Sequence, residues 1–218
     1  MRAREMIAAR GGRQSSAIAL LLALSLMVGS GHAAPTADTQ DWPCQQRLVP
    51  TLGAGAFWPS PPLESAGDWK TEPKVAELVD RITPRRVSTD DGVAAIGAFA
   101  ASLEASADKD RLLTLAFAGL LEETNRARAD IISRLIELGR RQHDLADIAS
   151  KANAELRALP AASTAPEDAA RRSDLEQRFA FVTQAFESTQ RTMRYACEVP
   201  TALEARLGRY ARALRDHL

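Results

Sequence analysis

From Asp108 to Leu159 the chain runs without a proline, and no other stretch limits its fold as severely. Along that run Phe117, Leu121, Thr124, Ile131, Leu135, Leu138, Gln142, Leu145, Ala149, Ala152, Leu156 and Leu159 recur in steps of four and three. Arg128 stands where the series needs a residue between Thr124 and Ile131. Such steps keep one face of an α-helix turned toward a neighbouring helix, the heptad pattern of coiled coils. Unbroken, the helix would be a rod of about 70 Å at 1.5 Å per residue. Its opposite face sets Glu122 before Arg126, Asp130 before Arg134, Glu137 before Arg141 and Asp147 before Lys151. Pairs with the acid four residues ahead of the base add roughly 0.2–0.5 kcal/mol each and mark a solvated face.

The stretch LPAASTAPED breaks the rod at Pro160 and opens a second helix through a T-x-x-E capping box, Thr164 to Glu167, with Pro166 in its first turn. In the second rod Leu175, Phe179, Val182, Phe186, Thr189, Met193 and Ala196 form an uninterrupted four-three series. Two heptad helices joined by a short loop make an antiparallel hairpin, expected over about residues 108–197. Val199-Pro200 is expected to end the second rod. Another T-x-x-E box, Thr201 to Glu204, then starts a closing helix over 201–217 with Leu203, Leu207, Tyr210 and Leu214 on its buried stripe. Two shorter helices precede the hairpin, one with Val75, Leu78, Val79 and Ile82 inward, the other opened by Ser88 and burying Val93, Ile96, Ala100 and Leu103. The expected fold is all-α: a coiled-coil-like hairpin with short flanking helices, within a helical domain over 73–218. Aromatic residues at 5% and plentiful alanine suit helix on helix better than sheet on sheet.

Ahead of the helices the pattern is different. Arg2, Arg4, Arg10 and Arg13 precede the uncharged run AIALLLALSLMV, which is too short to cross a bilayer core and has the form of a secretory leader. Cleavage is expected after Ala33, giving a Sec-exported, periplasmic chain with no membrane span left. Residues 34–72 carry six prolines, and also Trp42, Trp58, Trp69 and Phe57. Large rings in a proline-rich segment predict an extended arm lying on the helical body rather than a disordered leader. Loss of residues 1–33 takes four Arg and one Glu from the 28 charges of each sign, leaving 24 basic and 27 acidic residues. A net charge of −3 does not suit nucleic acid as a partner.

Cys44 and Cys197 are the chain's two cysteines. In an oxidising compartment such a pair predicts a disulfide, tying the start of the arm to the end of the second rod, with Trp42 packing near Tyr195. Pairing between copies and a reactive redox thiol are the alternatives, the second without the C-x-x-C frame that would support it. The stretch Asp41-Trp42-Pro43-Cys44, with Gln46, Arg47, Val49 and Pro50 behind it, resembles the start of a group of exported proteins of Gram-negative bacteria that continue into a helical hairpin. Gln45 departs from the Val common in that group. The resemblance covers about ten residues, implies a periplasmic location and brings no activity with it.

Catalytic and cofactor frames are not evident. His143 and His217 lie outside any Glu-x-x-His frame, C-x-x-C-H and G-x-S-x-G are absent, and Gly53-Ala-Gly55 lacks the strand and helix of a phosphate loop. Glu122, Glu123 and Asp130 are interleaved with arginines, the pattern of surface pairing rather than a metal centre. No catalytic residue, metal or cofactor is therefore expected. The leading expectation is a non-enzymatic periplasmic module acting through protein–protein contacts, its partner an unidentified periplasmic protein or a second copy through the heptad seam. Trp42, Trp58, Trp69, Arg140 and Arg141 are the candidate contact residues, and the outer end of the hairpin, around 140–180, is the projecting part. The alternative is an accessory to a redox or metalloenzyme system that cradles a small ligand under the Trp-rich arm. Thr124, Gln142 and Thr189, polar within the seam, are expected to bond one another.

Overall fold

The computed structural model describes residues 41–59 and 61–218. The leader, its cleavage site and the first residues of the arm lie outside the described residues. Among the described residues five α-helices follow in chain order: α1 Pro73–Ile82, α2 Thr89–Ala101, α3 Lys109–Ala158, α4 Pro166–Ala196 and α5 Glu198–Arg215. No strand occurs among the described residues, so the fold is all-α. The arm contributes three short 3₁₀ turns, Ala54–Ala56, Leu63–Ser65 and Trp69–Thr71.

Local chemistry accounts for the helix limits. Pro73 opens α1, where a missing N–H costs nothing, and Pro84 follows close behind its end. Ser88 caps α2: its hydroxyl oxygen accepts from the Asp91 amide at 3.0 Å, while its O–H donates to the Asp91 carboxylate at 2.7 Å. The 50 residues of α3 make a helix of about 75 Å. Two expected boundaries are corrected. Thr164 does not cap α4: Ala165 holds the N-cap position without a side-chain bond, and Ser163 Oγ accepts from the Ala165 amide instead. Nor does Pro200 separate α4 from α5. The interruption is Cys197 alone, itself near helical at φ −64° and ψ −22°, and Pro200 falls in the first turn of α5, where no helical N–H is required of it. Thr201 is thus an interior residue rather than a cap.

Because Cys197 barely turns the chain, α4 and α5 run as one antiparallel partner of α3. Arg171 meets Glu155, Gln142 Nε2 donates to the Phe186 carbonyl, and Arg128 donates to the Pro200 carbonyl. Each 13 or 14 residues down α3 therefore match 15 or 14 residues up α4 and into α5. The expected seam lies where these helices meet: Leu135, Ala152, Leu175, Val182 and Met193 are buried. Most other seam positions, among them Leu145, Leu156, Phe179 and Phe186, are only half-buried. The polar seam residues do not bond one another; Thr189 donates to the Ala185 carbonyl of its own helix, and Gln142 to the facing backbone.

The main core is built elsewhere, by α1, α2, α5 and the first third of α3; the stripes expected for α1 and α2 face it, as do Leu207, Tyr210 and Leu214 of the α5 stripe. Phe117, Leu113, Leu115, Leu120, Ile96, Leu207 and Leu214 are its most enclosed large side chains. The molecule thus has a well-filled base from which α3 and α4 continue as a two-helix extension.

Candidate functional site

The arm docks on α3 by a ladder of specific contacts, running opposite to the helix. At Gly139 it crosses so closely that a Cβ would collide with the Asp41 carbonyl oxygen, and Arg140 Nε donates to Asp41 Oδ2 at 2.6 Å. At Arg128, which is 3% exposed, the guanidinium donates to the Val49 carbonyl at 2.8 Å and to the Pro200 carbonyl at 2.5 Å. It therefore ties arm, α3 and α5 together. Burial lowers the pKa of this guanidinium, and the Glu204 carboxylate, 3.9 Å away, acts in the opposite sense. At Asn125 the side-chain amide pairs with both backbone groups of Leu52, accepting from its N–H at 2.9 Å and donating to its carbonyl at 3.1 Å. At Glu122 the carboxylate accepts from Trp69 Nε1 at 2.9 Å and from Lys70 Nζ at 2.5 Å. Finally, Gly119 leaves room for the Trp69 ring, which a Cβ there would meet at 2.8 Å. Residues 119, 122, 125 and 128 step by three, which turns the contact line about 60° per step, so the arm winds around α3 between Gly119 and Arg128, and Gly139 lies three turns beyond Arg128.

At the other end of the ladder the arm is stapled. Cys44 and Cys197 form a disulfide with an S–S distance of 1.98 Å across 5.6 Å between Cα atoms. The Gln46 amide donates to the Cys197 carbonyl, and Trp42 Nε1 donates to the Gln46 carbonyl at 2.7 Å, which closes the DWPCQQ stretch on itself. Beside the bond lies an open cleft of about 770 Å³, bordered by Gln45, Gln190, Met193, Arg194, Glu198 and Thr201. Its polar groups are amides, one hydroxyl and one charge of each sign, suited to hydrogen bonding with a ligand. No cluster of three or more metal-ligating side chains occurs among the described residues. No helix among them is long and apolar enough to cross a membrane.

Several expected contact residues have other roles. Trp58, 3% exposed, stacks on Phe117 with ring centroids 4.7 Å apart and planes 8° from parallel, and Trp69 is also buried, at 6%. Both rings are core, which corrects their assignment as contact residues. Trp42 is half-buried and borders a small cavity with Arg128, Ile132 and Pro200, not Tyr195, which is 72% exposed. Arg140 belongs to the arm crossing rather than to the hairpin tip, about 28 Å from Leu159 by helical rise. Arg141 is exposed. Glu122 turns to the arm instead of Arg126, which pairs with Glu123. His143 is largely exposed, with Nδ1 3.6 Å from Asp41 Oδ1.

A surface that the heptad reading passed over lies on α4. Gln177, Phe181, Gln184, Ser188, Thr192 and Tyr195 step by four, three, four, four and three along its outer side, all exposed and uncharged. At 100° per residue this stripe is centred roughly 130° away from the seam that α3 covers. Phe181 and Tyr195, each 72% exposed, are its two aromatic side chains. The signal was present as a second four-three series, but its amides and hydroxyls hide it from a hydrophobic pattern.

Together these features define an all-α protein with a two-helix extension, a stapled arm and an uncharged outer helix face. No family model, no curated protein and no solved structure matches the chain.

Proposed function

We propose that the chain is a non-enzymatic helical interaction module of the periplasm, presenting the α3–α4 hairpin to another protein. One observation carries this reading: past the arm crossing at Gly139 the hairpin is far longer than the base needs, and its seam is only half-covered. Between residues 140 and 192 only Ala152, Leu175 and Val182 are buried among the described residues. The hairpin also bears the chain's two most exposed aromatic side chains, Phe181 and Tyr195. An exposed series of large rings on a rigid helix suits a docking face. The disulfide and the leader-like first residues support an exported protein.

The test is affinity capture from a periplasmic extract, with the parent chain and a Phe181→Arg, Tyr195→Arg chain as baits. The expected result is a captured protein that the double variant no longer holds although it melts like the parent. Equal capture by both baits would count against the hairpin as the docking element. The cleft of about 770 Å³ favours a second reading, an accessory protein that binds a small polar ligand beside the disulfide rather than under the tryptophans. A change in Trp42 fluorescence on adding such a ligand, abolished by Gln190→Leu, would support it.

A further inference from the structure

We propose that the small cavity bordered by Trp42 and Arg128 is a carboxylate site, and that with the neighbouring cleft it binds a short extended peptide by its free C-terminus. This rests on the second reading above, the cleft as a ligand site, and names the ligand's class. An uncompensated cation carries it. Arg128 is 3% exposed and has five N–H donors, of which the Val49 and Pro200 carbonyls take two. Its Nε is buried with no partner among the described residues. The Glu204 carboxylate stays 3.9 Å from Nη1, beyond hydrogen-bond distance, and is half exposed. Carbonyl dipoles do not neutralise a charge, and a buried charge with an orphaned donor calls for an acceptor from outside the chain.

The surroundings favour a monovalent anion. The cavity, of about 100 Å³, is bordered by Arg128, Arg47, Thr201 and Glu204. Arg47 is exposed and has no ion pair among the described residues. Two guanidinium groups and one carboxylate leave a net charge of +1, which one carboxylate cancels and a phosphate dianion overshoots. A planar carboxylate also matches the guanidinium fork better than a spherical halide does. Continuity extends the ligand beyond its charged end. Gln46 and Thr201 border both the cavity and the open cleft of about 770 Å³, a volume in the usual range for ligand sites. Along the cleft Met193 supplies an apolar surface, and the exposed side-chain amides of Gln45 and Gln190 are unengaged among the described residues. The backbone N–H groups of Cys44 and Gln45 are unpaired there as well. Free amides beside an apolar strip suit the backbone of an extended peptide, and C-terminal carboxylate capture is a recurring mode of peptide recognition.

The experiment titrates the full chain, disulfide intact, with N-acetyl-Ala-Ala-Ala, with the amide of the same peptide and with acetate, at constant ionic strength. Trp42 borders the cavity whereas Trp58 and Trp69 are buried in the core, so tryptophan fluorescence reports on the site. The expected result is a saturable change with the acid, none with the amide, and weaker saturation with acetate. Because Arg128 also holds the arm, its neighbours are the residues to vary. Arg47→Gln, melting like the parent, should weaken the acid about tenfold, and Glu204→Gln should tighten it. Equal binding of acid and amide would overturn the carboxylate site and leave the cleft reading standing. Acetate binding as tightly as the peptide acid would overturn the assignment to a peptide. A response unaltered in both variants would put the ligand elsewhere and overturn the proposal. No response to any of the three ligands would remove the proposal and the cleft reading together.

Discussion

Arg128 is the residue at which sequence and structure part most instructively. It interrupts an otherwise apolar series, and the reason is that two chain segments place backbone carbonyls where the next seam residue would go. Arg128→Ala removes the side-chain donor to the Val49 carbonyl and the second donor to the Pro200 carbonyl, which keeps its helical amide, a loss of about 1–3 kcal/mol, readable in urea unfolding. Arg128→Lys should recover only part, because a single ammonium cannot span both acceptors as the guanidinium fork does. Glu122 provides a pH-dependent counterpart. The Lys70 ammonium, and after it the Trp69 N–H, hold its carboxyl below the ordinary value of 4.5. A carboxyl whose pKa is lowered by folding stabilises the protein above that ordinary value and loses the contribution as pH falls through the lowered one. The stability difference between the parent and Glu122→Gln should thus shrink as pH is lowered from about 5 towards 3. The change should be modest, since both partners of the ion pair are half exposed.

At the scale of elements, helix existence was legible and the junctions were not. The four-three periodicity located α3 and α4 to within a residue or two, because burial against a long neighbour leaves a regular mark. The start of α5 was misread because Val-Pro commonly ends helices, whereas here the interruption falls at Cys197 and Pro200 sits in the first turn of the next helix, where its missing N–H costs nothing. Nor did the pattern separate tryptophans that fill a core from tryptophans that recognise a partner: Trp58 and Trp69 depend on Phe117 and Gly119, fifty or more residues away. The α3–α4 seam also differs along its length, which predicts different costs for similar truncations. Leu135→Ala, at a fully buried position, should cost about 2–5 kcal/mol, and Leu145→Ala, half-buried three turns out, distinctly less; thermal melts of the two variants would show it. Gly139→Ala separates helix from arm. Alanine favours the helix by about 1 kcal/mol over glycine, yet its Cβ displaces Asp41. Amide exchange should therefore speed up over residues 41–50 while α3 itself becomes no weaker.

For the whole molecule, the staple and the ladder divide the work of holding the arm. On the chain-entropy model a bond across 153 residues stabilises by up to about 5 kcal/mol. A Cys44→Ser, Cys197→Ser chain should melt lower than the parent, and its new protease sensitivity should fall within residues 41–50. From Leu52 onward the arm is held by Asn125, Glu122 and its own buried tryptophans, and should stay protected. The same separation governs how the native state is reached. Cys44 leaves the ribosome long before its mate exists, and with just two thiols there is a single way to join them within one chain, so no wrong pairing has to be undone. The helices have local contacts and form in microseconds, whereas the staple needs the far end of α4 already in place against α3. Oxidation therefore records that folding has succeeded rather than directing it, and a chain whose helices fail to assemble keeps two free thiols by which it can be recognised.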